Sequence, residues 1–417
     1  MSDDLGLPPR RALPGDVRDR LRAEVRAGIG KPKRAKHVWY AAAAAVLVLA
    51  AGAVVVTRQL RQPAEAPPAV PGGLTLDGKL ATTALDRCWA AVQVAGKTDR
   101  VPPRAEWVPL LTEELEGDAV VAATAAGKPM FCETTATTVT LSDPGATPAY
   151  APGSRSGLLL YSATGLVGGV LDPAWPKASL VTSTPGGSSG SDVGFSPVSR
   201  QFVAHTRTAP DRTAVALIDG GAGQPRKVDL PAAPAPLLAV TDRPEPADRT
   251  SVAGRALGDC LADAEEVIPD AAAYRPGPLL REAGQEVVMG RRGDRVIVCT
   301  REPDYQRPGK TRARAYPDLV AARGVPARIL RVNTLGAGES GAPAGAARTP
   351  VAVVLPAAAI SAGFEFDADN GADLVVTDGM ALAWLPRKIA LTPEAKVRVR
   401  AWDAEGRLVY DASLPLF

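Results

Sequence analysis

Two stretches of this chain repeat one another, and that repetition limits its fold more than any other feature. Ala84-Leu-Asp-Arg-Cys88-Trp-Ala90 returns as Ala256-Leu-Gly-Asp-Cys260-Leu-Ala262, with Ala, Leu, Cys and Ala in register. Further on, Val120-Val121 precedes Cys132 by the same interval at which Val287-Val288 precedes Cys299. Near the two ends, Val215 to Ile218 followed by Asp219, Gly223 and Asp229-Leu-Pro231 is echoed by Val397 to Val399, Asp403, Gly406, Asp411 and Leu414-Pro415. Three markers in one order predict an internal duplication, the alternative being convergent Ala/Val-rich composition. The Pro-rich joint from Pro231 through Pro244 and Pro246 then divides the chain into repeat 1 at 74–232, a linker at 233–247 and repeat 2 at 248–417.

Leu85, Cys88, Trp89 and Val92 recur at helical spacing, as do Leu257, Cys260, Leu261 and Ala264, so each first cysteine is expected on the buried face of a helix. The second cysteine falls in a hairpin pattern, two apolar runs around a turn, at Val120 to Cys132 and at Val287 to Cys299. Downstream runs at Leu158–Ser162, Val203–Thr206, Val215–Ile218, Arg328–Val332, Val351–Leu355, Leu374–Thr377, Val397–Trp402 and Leu408–Tyr410 read as strands. The expected fold class is α+β: one transmembrane helix plus two tandem β-rich extracytoplasmic domains, each a helix on an antiparallel sheet. Four cysteines allow three pairings. Duplication selects Cys88 with Cys132 and Cys260 with Cys299, because an ancestral single domain had to satisfy its own cysteines in an oxidising compartment. A four-cysteine zinc site is the alternative, but no Cys-x-x-Cys pair is present.

The N-terminal part divides into a basic leader at 1–37, an apolar span at 38–57 and a Pro-rich stalk at 58–73. Val38 to Val56 carries no charge, with Trp39 and Tyr40 at one end. As a helix that stretch would be about 28 Å long, close to the hydrocarbon thickness of a bilayer. Eight Lys or Arg lie between Arg18 and Lys36 against two between Arg58 and Gly73. The positive-inside rule therefore puts the N-terminus in the cytoplasm and the repeats outside, at the cell membrane. A cleaved signal peptide is the rival, since Ala51-Gly-Ala53 and Ala64-Glu-Ala66 fit a cleavage site, but the apolar stretch exceeds the usual signal core. Asp16 opens a candidate helix with Val17, Leu21 and Val25 beside Arg18, Arg22 and Arg26. It reads as a helix lying on anionic lipid or, more sharply, as a docking helix for a cytoplasmic protein.

Charged residues make up 22% of the chain, and the net charge of +3 leaves no nucleic-acid footprint. Only two histidines occur, His37 and His205, which leaves little material for a metal cluster or imidazole acid–base work. No cofactor, metal or catalytic residue is expected. Gly186-Gly-Ser188-Ser-Gly190 matches the nucleophile-elbow pattern, with Asp192 and His205 following in hydrolase order, yet Ser191 to Pro197 cannot start the helix that an elbow needs. The stretch reads as a Gly/Ser loop, and His205 as a strand residue with a satisfied hydrogen bond. Gly336-Ala-Gly338-Glu-Ser-Gly341 likewise reads as a loop, not a phosphate cradle. Arg291, Arg292, Arg295, Arg301, Arg307, Lys310, Arg312 and Arg314 face Asp294, Glu302 and Asp304. They form either a solvated face or a seat for an anionic cell-wall polymer or acidic protein partner.

Of the 48 basic residues 37 are Arg, and Ala, Gly and Pro abound. With the short leader, single span, Pro-rich stalk and outer repeat closing on Ala401 to Arg407, the chain resembles uncharacterised single-pass membrane proteins of high-GC actinobacteria that carry β-rich extracytoplasmic repeats. The layout is also similar to that of membrane anti-sigma factors, although their His-x-x-x-Cys-x-x-Cys leader motif is absent. The layout and the lack of a catalytic motif in a fitting context point to a non-enzymatic, surface-exposed binding or sensing protein of the cell envelope. Its alternatives are a transmembrane regulator acting through the leader helix and an envelope serine hydrolase using Ser188 and His205.

Overall fold

The computed structural model describes residues 75–415, except 116–117, 185–186, 222–224, 283, 305–310, 317–327, 332–348, 368–369 and 386–394. The leader, the span at 38–57 and the stalk up to residue 73 lie outside the described residues, as do Gly336 to Gly341. Asp77 opens helix α1 (Gly78–Val94) by accepting the Lys79 and Leu80 N–H groups, and Ser251 opens α2 (Val252–Asp263) by accepting from Gly254. After α1 come β1 (Trp107–Leu115), β2 (Asp118–Ala125), β3 (Lys128–Thr134) and β4 (Thr138–Leu141), an antiparallel meander that β12 (Leu238–Thr241) extends beyond β4. Thus the Pro-rich joint is partly a strand. The matching meander after α2 is β13 (Arg275–Glu282), β14 (Gln285–Arg292), β15 (Arg295–Pro303) and β16 (Thr311–Tyr316). Pro109 and Pro276 sit in the edge strands β1 and β13, each beside a register shift, where a missing N–H costs least.

Each half then adds two more sheets. In the first, β5 (Gly157–Tyr161), β6 (Leu166–Val170) and β9 (Gln201–His205) form one sheet. The other holds β11 (Arg226–Asp229), β10 (Ala214–Asp219), β7 (Ala178–Thr184) and β8 (Gly187–Asp192), in that order. In the second half β17 (Arg328–Arg331), β18 (Pro350–Val354) and β21 (Met380–Trp384) form the three-stranded sheet. There β23 (Leu408–Pro415), β22 (Lys396–Trp402), β19 (Ser361–Asp367) and β20 (Asn370–Val375) form the four-stranded one. Every strand from β1 to β11 thus has a counterpart in the same place in the second half, from β13 to β23.

Side-chain alternation explains the stacking. In β18, Val351 and Val353 face the core shared with β19 and β22, while Ala352 and Val354 face the core shared with β14 and β15. In β15, Val296 and Val298 face β18, while Ile297 and Cys299 face α2. The first half repeats this, with Cys132 toward α1 and Phe131 toward β6 and β9. Each half is therefore four layers, helix, sheet, sheet and sheet.

The expected fold class is corrected accordingly. The described residues form six antiparallel sheets and two α-helices, so the fold is mainly β. Helix-on-sheet packing is only its outermost contact, and no described helix is long and apolar enough to cross a membrane. The later strands are further layers, a role that their apolar runs, taken singly, do not reveal.

Asp270 joins the halves. Its backbone is left-handed (φ 55°) and its carboxylate has no exposed surface. It accepts hydrogen bonds from the hydroxyls of Thr135 and Thr137 at 2.5 Å and from the N–H groups of Ala136 and Thr137 at 3.1 Å, all in the β3–β4 turn, and it pairs with Arg292 of the second half. Arg87 of α1 holds the same turn, donating to the Thr135 carbonyl at 2.5 Å and to Asp242 at 2.6 and 2.7 Å. Nearby, the Val267 N–H donates to the Arg207 carbonyl at 2.8 Å.

Candidate functional site

Beside that joint lies a cleft of about 700 Å³ bordered by both halves. The first half supplies Thr182, Thr184, Gly187, Ser188 and Ser189 from the β7–β8 hairpin, with Thr208, Asp211 and Arg212 from the segment between β9 and β10. The second supplies Glu265 and Glu266, just past α2, with Arg312 and Arg314 on β16. Alternation along β7 explains the hydroxyls, because Ala178 and Leu180 lie in the core and Thr182 and Thr184 continue the same face to its rim. Thr182 and Ser189 are hydrogen-bonded at 2.7 Å across the hairpin.

Most of the cationic side chains have protein partners. Arg312 pairs with Glu265 at 3.4 Å. Burial works against the Arg314 charge, but the Tyr316 hydroxyl and the carboxylates of Glu266 and Glu265 outweigh it, holding the guanidinium above its ordinary range. Burial raises the Tyr316 hydroxyl in turn. The Glu266 Oε2 is buried and makes no hydrogen bond. Elsewhere in the basic stretch Arg301 pairs with Asp263 at 2.9 Å, Arg292 with Asp270, and Arg291 donates to the Gly293 carbonyl at 2.9 Å. The stretch is thus largely neutralised by its own fold; Arg307 and Lys310 lie outside the described residues.

The serine motif takes another form than expected. Gly187–Asp192 is a fully exposed edge strand, not a loop. Ser188 is hydrogen-bonded to Ser183 at 3.1 Å and Asp192 accepts from Ser179 at 2.8 Å, so neither side chain is bonded to His205. His205 ends β9 on the face that carries Val203, toward β2 and β3, and its Nε2 makes no hydrogen bond. The expected satisfied bond is therefore corrected. Burial and the nearby Arg207 charge depress its pKa to about 4. Glu133, on the same face of β3 as Phe131, enters that interlayer from the other side and accepts from Thr164. Burial pushes its carboxyl up, against the hydrogen bonds of Thr164, Ser162 and Thr140, and its Oε2 has no hydrogen bond.

The cysteines pair as Cys88–Cys132 and Cys260–Cys299, spanning 44 and 39 residues, and all four are fully buried. No group of three or more His, Cys, Asp or Glu is placed to hold a metal among the described residues. Sequence reasoning singles out Ser188, Arg312 and Arg314 separately and misses Glu266, Asp211 and Asp270, which carry no motif. No protein-family model matches the chain, and no curated protein matches it.

Proposed function

We propose that the chain is a membrane-anchored, extracytoplasmic binding or sensing protein of the cell envelope that acts without catalysis, with the cleft between its halves as the binding site. The observation that carries this reading is the cleft itself, where hydroxyls, carboxylates and guanidiniums converge from both halves. Two buried disulfides support an oxidising compartment. The uncharged stretch from Val38 to Val56 and the eight-to-two basic asymmetry around it support anchoring with the N-terminus inside and contact with the lipid bilayer. An alkaline phosphatase fused after Phe417 tests the placement. The fusion should be active and a cytoplasm-only fluorescent reporter at the same site dark; the opposite pattern sinks the reading.

A further inference from the structure

We propose that the interlayer beside the joint is a proton switch: in acid His205 takes up a proton from water and releases the first half from the second, opening the cleft along Thr208. This rests on the binding or sensing reading above and adds how that site is regulated.

The imidazole comes first. His205 stands opposite Leu166 of β6, whose side chain lies in the core between β9 and the meander, so the imidazole enters the same interlayer. Its Nε2 is buried and makes no hydrogen bond. A neutral ring is tolerated there, whereas an imidazolium would add a second cation beside Arg207 and a further N–H to satisfy. Across the interlayer stand Glu113 of β1, Asp118 of β2 and Glu133 of β3, all on the face of Val120, while β5 and β6 present no charged side chain on that face. Burial first, then Arg207, holds the imidazole at about 4. Glu133 keeps hydrogen-bond partners in its own half, Thr164, Ser162 and Thr140.

This interlayer meets the joint at three points. Arg207, two residues past His205, has a left-handed backbone (φ 54°), and its carbonyl accepts the Val267 N–H of the second half at 2.8 Å. Thr208, next in the chain, borders the cleft. Glu133 lies two residues before Thr135, where the turn held by Asp270 begins. Burial works against the Arg292 charge of the second half, and the Asp118 carboxylate supports it. The chain after His205 is also fitted closely to the β5–β6 turn. The Gly165 carbonyl accepts the Thr206 N–H at 2.8 Å, and a Cβ at Gly165 would lie 3.0 Å from the Arg207 and Thr208 nitrogens. Displacing the imidazole therefore displaces the Arg207 carbonyl from Val267. Release lets water reach the ring and returns it to its ordinary 6.5, so release is favoured as pH falls below that value, by about thirtyfold at pH 5.

The test is hydrogen exchange of the full chain in detergent micelles at about pH 7.5 and pH 5, corrected for the intrinsic pH dependence of amide exchange. Segments 135–137 and 264–268, which meet across the joint, should lose protection about thirtyfold at the lower pH. Segments 120–123 and 287–289, inside the two meanders, should keep theirs. His205→Gln should abolish the loss. Because His37 is the only other histidine, the imidazole signals of the His37→Gln variant in nuclear magnetic resonance report His205 directly, and they should titrate at about 4. Unchanged protection at the joint, the same loss in His205→Gln, an equal loss in segments 120–123 and 287–289, or an imidazole midpoint near its ordinary 6.5 would each overturn the proposal. A cytoplasmic reporter pattern with the acid response intact defeats only the envelope placement; an active phosphatase fusion without the acid response defeats only this inference.

Discussion

The two halves share one plan and differ in how they fill it. By strand register, His205, which faces Leu166, corresponds to Trp384, which faces Pro350. Counting from the paired cysteines, Glu133 corresponds to Thr300 and Phe131 to Val298. Gly168 and Gly169 of β6 correspond to Ala352 and Val353 of β18, while Phe202 corresponds to Ala381. A Cβ at Gly168 would lie 2.8 Å from the Phe131 ring, and one at Gly169 would lie 2.7 Å from the Phe202 ring. The first half thus combines glycine with phenylalanine where the second combines alanine or valine with valine or alanine. Volume is exchanged across each interlayer and the packing is conserved. The interlayer of the first half holds the buried acid Glu133 and the half-buried imidazole of His205. On the matching face of β15 the second half carries the buried acid Glu302 and no histidine, so the imidazole should set the two halves apart in their response to pH.

Breaking the joint between the halves should have the largest effect. Asp270→Ala takes away the carboxylate paired with the buried Arg292, which keeps only the more diffuse attraction of Asp118, Glu245 and Asp294, and frees the donors of the Thr135–Thr137 turn; it should cost about 3 kcal/mol in denaturant unfolding. Next come the disulfides. Cys132→Ser and Cys299→Ser should each cost about 2–5 kcal/mol, and nearly equally, because closing loops of similar length restricts the unfolded chain similarly. Unequal losses would mean that the halves do not share their packing around α1 and α2.

Much of this is legible in the sequence, for a physical reason. Helix period and hairpin pattern place Cys88 and Cys260 against Cys132 and Cys299, because burial on one face leaves a period and a repeated one fixes the pairing. The edge strand β8 is not legible. Exposed Gly, Ser and Asp residues carry no apolar period, and their strand conformation comes from pairing with β7. The four-layer stack is hidden similarly, since strands buried on both faces read as apolar runs without saying what covers each face. Glu266 and Asp270 gain their meaning only from elements far away in the chain.

The pH asymmetry sharpens the comparison at the next level. His205 titrates at about 4 when folded and near 6.5 when unfolded, so the unfolded chain takes up its proton first. Stability present above pH 6.5 should decline as pH falls through that window, by about 3 kcal/mol in full once below the folded pKa. Glu133 acts with the opposite sign. Its raised pKa makes the folded state hold a proton longer than the unfolded one, so it removes stability as pH rises above the ordinary carboxylate value. His205→Gln should flatten the loss of stability between pH 6.5 and 4, and Glu133→Gln should stabilise at pH 8 but not at pH 4. Urea titrations across pH would read both, and Trp384→Phe at the corresponding place should leave the slope unchanged. The smallest effect is steric. Gly168→Ala should cost about 1–3 kcal/mol through overpacking against Phe131, and Phe131→Val in the same chain should recover part of it, as the Ala352 and Val298 pair implies.

Hydrogen exchange on the full chain in micelles, with and without Asp270→Ala, addresses the central claim most directly, namely that the two halves are joined into one unit through Asp270. The substitution should speed exchange together in Thr138–Leu141 of the first half and in Val252–Asp263 and Gln285–Arg292 of the second. Faster exchange confined to one half, or exchange that the substitution leaves unchanged, would contradict it.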